Sequence, residues 1–358
     1  MINLDCTSIE WIRNVSAEHN NADKMLVEKV VRALLLLEGL AVSGLDFCFK
    51  GGTATMLLLD TVRRMSIDID IIAPDSTADL SAIIDGICKR QGFVRWEPVK
   101  RQNKGKIQKS HFKLFYLSSV MDGKEQSILL DVLHEKVYYQ SVVRKPLATS
   151  FIENIGDAVF ITMPDINSIA GDKLTAFSPN TIGIPYFKSG NDRGMEIIKQ
   201  MYDLSCLFDQ VDDIGMVKIV FERLTAIESD YRENDFTPEA VLNDGQITAL
   251  SICLRRAVDD TCRYDILSNG AKQLNGFIFA ERFSNEKAIP HAAKVAYLIE
   301  LVKRGISNKQ MYNPQIDMRD WQVSQPFDTR INRIKKSSPE AFFYLYKMVQ
   351  LRQDGFHL

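Results

Sequence analysis

The chain has 358 residues, of which 46% are hydrophobic and 25% are charged. This composition provides the cores of one large or two ordinary domains, and it excludes a disordered or fibrous protein. The formal net charge of -2 excludes a protein-wide positive field for nonspecific nucleic-acid binding, although a local basic patch is compatible with it.

The first predicted elements lead into a glycine corner. Apolar residues recur at helical spacing over residues 23–40, and residues 46–50 form a short apolar strand. Gly51-Gly52 then requires a tight turn, and Thr53 is expected to cap the helix that follows. Helix N-terminal amides favour phosphate oxygens, so the two glycines are compatible with a phosphate-binding turn. Many strand–turn–helix corners use two glycines without binding a ligand. On this motif alone, a purely structural turn is the favoured interpretation.

A pair of aspartates lies in the next predicted strand, residues 66–72, where polar and apolar residues alternate. Asp68 and Asp70 are two positions apart, so they project from the same face of that strand. Two neighbouring carboxylates repel each other unless a cation lies between them, and their oxygen atoms suit Mg²⁺. The alternative is a solvated strand face, which is the commoner meaning of an isolated pair.

A helix over residues 76–91, with Ser76 or Thr77 as its N-cap, is predicted next. Two strands, residues 93–100 and 107–116, then form a hairpin across a polar run.

The basic run at this hairpin, residues 101–113, allows two interpretations. Its lysines are Lys104, Lys106, Lys109 and Lys113. They contact RNA phosphates, or they prevent edge-to-edge pairing of a solvated hairpin. We prefer the second.

Asp131 interrupts an apolar strand, residues 127–134, that we expect to be buried on both faces. If this strand adjoins the one that carries Asp68 and Asp70, three carboxylates meet. Such a cluster can hold two metal ions for in-line attack on a nucleotide α-phosphate. Alternatively, Asp131 lies at a strand end and faces water. Strands and helices thus alternate over the first ~150 residues, which predicts a small α/β layer architecture.

The second half of the chain is helical in character. Pro164 is expected to begin a helix that ends near residue 177, and a second helix covers residues 193–208. Later helices are expected to be separated by breaks at residues 243–245, 268–270 and 305.

Lys173 and Asp203 lie on those two helices. A lysine within an otherwise apolar run can neutralise triphosphate oxygens. A lysine that extends along the helix surface into solvent is the commoner case.

Taken together, these motifs resemble one known family. The sequence FKGGT ends at Thr53, RMSIDID ends at Asp70, and Asp131 follows on a later strand. Lys173 lies in GDKLTA and Asp203 in KQMYDL. This order resembles the AbiEii/AbiGii toxin family of nucleotidyltransferases, within the polymerase-β-like superfamily, and the resemblance covers roughly residues 45–210.

The resemblance implies an α+β fold with a polymerase-β-like mixed sheet and flanking helices, followed by a mainly helical half. A nucleotidyltransferase domain would occupy residues 1–160. Residues 161–358 would form a helical domain that contributes Lys173 and Asp203 to the site. It also implies a Mg²⁺-dependent toxin that moves an NMP from an NTP to an acceptor, with RNA and specifically tRNA as the acceptor class, and an antitoxin partner.

The resemblance and the residue chemistry together give each residue a predicted role. The backbone of Gly51, Gly52 and Thr53, with the Thr53 hydroxyl, would hold the β- and γ-phosphates. The metal ligands would be Asp68, Asp70 and Asp131. Lys173 would neutralise triphosphate charge, and Asp203 would orient Lys173 or the acceptor. One position departs from the common pattern, because many members have Lys-Asp where this chain has Lys199-Gln200.

Two other functions are compatible with the sequence: nucleotidyl transfer to a small molecule or a protein, and a non-catalytic interaction module on the same fold. The six cysteines include no CxxC pair, so we expect free thiols in a reducing compartment. The first ten residues lack a signal pattern, and residues 30–42 are too short and too charged to cross a membrane. We therefore expect a cytoplasmic protein.

Overall fold

The computed structural model describes residues 1–74, 78–99 and 108–354. The chain forms two compact units. The first contains residues 1–165 and residues 276–282, and the second contains residues 166–275 and the chain from residue 283 onward. The return of residues 276–282 to the first unit was not predicted from the sequence.

In the part of the first unit that the structure describes, there is a five-stranded mixed sheet, a separate antiparallel pair and four α-helices. The helices are α1 (Ile9–Glu18), α2 (Lys24–Ala41), α3 (Gly51–Leu58) and α4 (Leu80–Gln91). The strands are β1 (Cys48–Lys50), β2 (Ile69–Ile72), β3 (Arg95–Pro98), β4 (Gln108–Leu117), β5 (Glu125–His134), β6 (Val142–Pro146) and β7 (Phe160–Pro164). The sheet order is β1-β2-β5-β4-β3, and β6 pairs with β7.

Side chains on the two faces of the sheet differ in burial. Alternate residues of β5, from Ile128 through Leu130 to Val132, are buried, while the residues between them are partly exposed. Helices α2 and α4 pack against the sheet. The prediction that β5 is buried on both faces is therefore wrong, because its second face carries polar side chains, including Asp131.

Several predicted boundaries in the first unit also change. Helix α3 begins at Gly51 itself and has no side-chain cap, so the prediction that Thr53 caps it is wrong. Strand β2 begins only at Ile69, which leaves Asp68 just before it. Pro164 ends β7 rather than beginning a helix.

The N-cap of α4 is Asp79, whose side chain accepts a hydrogen bond from the Ala82 amide. The predicted caps, Ser76 and Thr77, lie outside the described residues. Residues 100–107, which include Lys104 and Lys106, also lie outside the described residues. The antiparallel pairing of β3 with β4 confirms the hairpin.

The second unit is mainly helical. Its helices are α5 (Ile166–Ala176), α6 (Gly194–Gln210), α7 (Ile214–Tyr231), α8 (Pro238–Leu254), α9 (Tyr264–Leu274), α10 (Asn285–Arg304), α11 (Ile334–Ser337) and α12 (Pro339–Asp354). A short ribbon pairs β8 (Phe187–Lys188) with β9 (Asn191–Asp192). No helix among the described residues has the length and apolar character needed to cross a membrane.

Two predicted helix breaks are wrong, because tertiary contacts override the local turn signals. Asp244 lies within α8, and its carboxylate accepts hydrogen bonds from the backbone and side chain of Asn180. Gly270 lies within α9, where a Cβ would meet the backbone carbonyl carbon of Gly194 at 2.2 Å. The third predicted break is confirmed, since Gly305 ends α10 in the left-handed conformation.

Candidate active site

Four charged or ionisable residues form one row across the sheet of the first unit. Lys50 on β1 is the cross-strand partner of Asp70 on β2. Asp70 is the partner of Asp131 on β5, and Asp131 is the partner of His111 on β4. Directly paired residues project from the same face, so the sheet places two carboxylates side by side, one strand spacing apart, between a lysine and a histidine.

The glycine corner lies directly against this row. Gly51 has φ of +81°, and a Cβ at this position would be 2.3 Å from Asp70 Oδ2. A Cβ on Gly52 would be 2.7 Å from Ser66 Oγ and 2.9 Å from Arg64 Nη2. Gly51 therefore lets the backbone at the start of α3 approach the Asp70 carboxylate this closely, and Gly52 lets it approach the side chains of Ser66 and Arg64.

Thr53 has a different role from the predicted cap. Its buried hydroxyl donates a hydrogen bond of 2.7 Å to the backbone carbonyl of Asp68. This bond connects α3 to the segment that precedes β2, and it leaves the Asp68 side chain exposed.

His111 was not predicted as a site residue. Its Nδ1 lies 2.7 Å from Asp131 Oδ1, and the two side chains are 10% and 29% exposed. The alternation of β4 places His111 on the same face as Lys109 and Lys113, while Phe112 and Leu114 are buried on the other face. That alternation, together with a hairpin register, is the sequence signal that could have identified His111.

A segment distant in sequence holds the chain just before Asp68. The Met65 amide donates to the Phe277 carbonyl at 2.8 Å, and the Phe279 amide donates to the Arg63 carbonyl at 3.3 Å. We call residues 276–282 the return segment. Phe279 contacts the rings of His19 and Phe151, and these contacts fix the return segment within the first unit.

The first unit contains carboxylates that could hold a metal ion. Asp70 and Asp131 are brought together, and Asp68 lies two residues before Asp70 but outside the strand. Among the described residues, no three acidic, histidine or cysteine side chains form a complete metal-binding group. Mg²⁺ typically uses one or two carboxylates plus water and substrate phosphates, so the all-oxygen donor set beside the glycine corner fits this ion.

In the second unit, Lys173 and Asp203 form a buried ion pair. Lys173 Nζ lies 2.6 Å from Asp203 Oδ2 and donates to Gln200 Oε1 at 3.1 Å. Lys173 and Asp203 are only 5% and 3% exposed. The alternative that Lys173 extends into solvent is therefore wrong, and Gln200 contacts the lysine as a neutral acceptor.

The family model described as "Nucleotidyl transferase AbiEii toxin, Type IV TA system" matches residues 35–260. No curated protein sequence matches the chain.

Among solved structures, the nucleotidyltransferase toxin MenT4 (Rv2826c) from Mycobacterium tuberculosis H37Rv matches with a TM-score of 0.52 and 13% identity, over 94% of this chain and 98% of that chain. A putative nucleotidyltransferase from Helicobacter pylori has a TM-score of 0.42 and 14% identity, over 78% and 94% of the two chains. JHP933 from Helicobacter pylori has the same TM-score and identity, over 80% and 94%. The MenT4 match shows a shared fold, and the predicted α+β fold class is confirmed.

Proposed function

Because the chain belongs to the AbiEii family of nucleotidyltransferase toxins of type IV toxin–antitoxin systems, we propose that this toxin transfers an NMP from an NTP to an RNA acceptor in a Mg²⁺-dependent reaction. The acceptor class that the family resemblance implies is tRNA, and the implied protein partner is an antitoxin. The observation that carries the proposal is the pairing of Asp70 with Asp131 beside the glycine corner.

The first unit supplies the groups that such a reaction needs. Backbone amides at the start of α3 bind the β- and γ-phosphates, because they lack partners within the helix and carry its positive dipole end. Asp70 and Asp131, with Asp68, would hold Mg²⁺, which when bound neutralises charge on the reacting phosphate. In this arrangement Thr53 acts through its backbone amide, since its hydroxyl is bonded to Asp68.

We assign to Asp131 the activation of the acceptor hydroxyl. The acceptor hydroxyl oxygen forms a bond to the α-phosphorus, the bond to the bridging oxygen breaks, and pyrophosphate leaves. Asp131 orients the hydroxyl and receives its proton. The neighbouring Asp70 faces the nucleotide, because its carboxylate lies against Gly51.

For Lys173 and Asp203 we propose the roles that the family resemblance implies. Lys173 neutralises triphosphate charge, and Asp203 holds the ammonium group in position. Their ion pair of 2.6 Å supports the second of these roles, because a buried lysine with a fixed carboxylate partner has few alternative positions.

An RNA acceptor is supported by charge on the open face of β4. Lys109 and Lys113 flank His111 on that face, beside the carboxylate row. Lysine side chains commonly contact the phosphate oxygens of nucleic acids, so these two charges favour a polyanionic acceptor over a small neutral one. If they contact RNA, the substitutions Lys109→Glu and Lys113→Glu should weaken RNA binding and make the loss of binding with added salt less steep, because fewer phosphates are neutralised.

The test is to incubate the protein with Mg²⁺ and each α-labelled NTP in turn, together with total RNA, total protein or a small-molecule extract. The proposal predicts label in the RNA fraction with one or two of the NTPs. Label in the protein or small-molecule fraction would show that the acceptor assignment is wrong. No transfer to any fraction would contradict nucleotidyl transfer itself.

A further inference from the structure

We propose that His111 is a positioning residue that fixes the Asp131 carboxylate for reaction, by holding Oδ1 and presenting Oδ2 to the acceptor side. The inference rests on the proposed function, because it specifies how the Asp131 carboxylate is held in position for the proposed reaction. It adds a residue that belongs to none of the motifs by which the family resemblance was identified.

The direction of the bond follows from the chemistry of the two groups. An ionised carboxylate only accepts hydrogen bonds, so the imidazole Nδ1–H must donate to Asp131 Oδ1 across the 2.7 Å separation. At 10% exposure the histidine side chain is largely shielded from water, and a hydrogen bond to a charged acceptor is stronger in such surroundings.

The pairing of Asp131 with Asp70 explains why an orienting donor is needed. Like charges in directly opposed positions repel each other, and Asp131 at 29% exposure has room to rotate its carboxylate toward solvent. The donor on the far side of Asp131 offsets this repulsion and holds the carboxylate in the row. Partners that orient a metal-binding carboxylate typically affect activity about 10- to 100-fold.

Sheet stability alone gives no reason for this pair. Strands β4 and β5 are joined by a long antiparallel ladder that runs from Gln108 to Leu117. The same two strands also carry a second polar pair, since Ser110 Oγ lies 2.9 Å from His134 Nε2. Ser110 and His134 alternate along their strands with His111 and Asp131, so their side chains project from the opposite face of the sheet. The Ser110–His134 pair therefore provides a matched control.

The first test compares two amide substitutions. His111→Asn places an amide nitrogen at the position of Nδ1, whereas His111→Gln places it at the position of Nε2 and out of reach of Asp131. We expect His111→Asn to keep most of the wild-type kcat for NMP transfer. We expect His111→Gln to lower kcat about 10- to 100-fold while the KM for NTP stays the same. The control Ser110→Ala should keep both values.

The second test needs neither NTP nor metal. In protein labelled with ¹⁵N-histidine, His111 should give an Nδ1-bound proton signal that is protected from exchange. The signal should disappear in His111→Asn, which assigns it, and lose its protection in Asp131→Ala. This readout stays informative even if one of the kinetic variants is unstable.

The outcomes separate the inference from the proposed function. Equal kcat in His111→Gln and wild type, or equal loss in His111→Asn and His111→Gln, would overturn the positioning role, as would an Nδ1 proton unaffected by Asp131→Ala. If the wild type transfers no NMP but the His111 Nδ1 proton responds to Asp131→Ala, the proposed reaction would be overturned. The hydrogen bond between His111 and Asp131 would then still be supported.

Discussion

Asp70 and Asp131 are directly paired on strands β2 and β5, which run parallel, so two carboxylates from distant parts of the chain lie side by side on one face of the sheet. The repulsion between two such carboxylates lowers the stability of the folded protein unless neighbouring positive charge or a bound cation offsets it. The Lys50 ammonium group at one end of the row and the hydrogen bond from His111 at the other provide part of that compensation. An arrangement that costs stability in this way is typical of a functional site.

Gly51→Ala should reduce both NMP transfer and stability. The left-handed conformation alone costs about 1–2 kcal/mol for a residue with a Cβ, and at Gly51 the added carbon also overlaps Asp70 Oδ2. Gly44 is the matched control, because it has φ of +83° and a Cβ there would meet nothing within 4 Å. Gly44→Ala should lower the free energy of unfolding without changing kcat, as measured by urea titration and NMP transfer. Equal kcat in both variants would argue against close packing at the glycine corner.

Phe279→Ala should slow NMP transfer although Phe279 lies far from Asp68 in sequence. The substitution removes the ring contacts with His19 and Phe151 that fix the return segment. We therefore expect faster hydrogen exchange at the Met65 amide, whose acceptor is the Phe277 carbonyl. Phe187→Ala is the control, because Phe187 is 58% exposed, and it should leave both the exchange rate and the transfer rate unchanged. Unaltered exchange at Met65 in Phe279→Ala would contradict the anchoring role.

Asp203→Ala should destabilise the second unit by about 3–5 kcal/mol, because it leaves the buried Lys173 without its carboxylate partner. A double variant, Lys173→Met with Asp203→Leu, should recover much of that loss, since a buried ion pair is often replaceable by apolar residues. The double variant should still fail to transfer NMP if Lys173 serves the triphosphate. Restored stability together with restored transfer would make the pair purely structural.

Glu300→Gln should change how stability depends on pH. Burial of Glu300 opposes its ionisation, but three hydrogen-bond donors outweigh this effect and lower the pKa of the carboxyl group. The donors are Gln246, Arg304 and Arg352. Because the folded-state pKa is depressed, the stabilisation is present above the unfolded-state pKa and is lost as the pH falls through the folded-state pKa.

The glutamine variant should therefore be less stable at neutral pH and should lose less additional stability in acid. Urea titrations of both proteins across the acidic range measure this difference. Parallel pH curves for the two proteins would show that Glu300 does not contribute through its charge.

Much of the site was predictable because its residues follow local rules. The Gly-Gly corner, the alternation that contains Asp70, and Asp131 within an apolar strand can each be recognised in a short window. His111 and the return segment could not be predicted in this way. The role of His111 depends on the β4–β5 register, and the role of Phe279 depends on contacts with His19 and Arg63, which lie more than 200 positions earlier in the chain.

The predicted helix breaks at residues 243–245 and 268–270 were wrong for a related physical reason. A sequence such as Asn-Asp-Gly favours a turn when it is exposed. Within α8 the Asp244 side chain instead accepts bonds from Asn180, and within α9 Gly270 permits close helix contact with Gly194. Contacts with distant residues decide such cases, and a local pattern does not contain them.

The measurement that tests the central claim most directly compares NMP transfer and unfolding in wild type and in the double variant Asp70→Asn with Asp131→Asn. We predict that the variant loses transfer completely with every NTP. We also predict that its free energy of unfolding without Mg²⁺ equals or exceeds that of the wild type, because the repulsion between the paired carboxylates is removed. Transfer at the wild-type rate by this variant would contradict the assignment of the Asp70–Asp131 pair as the reactive centre.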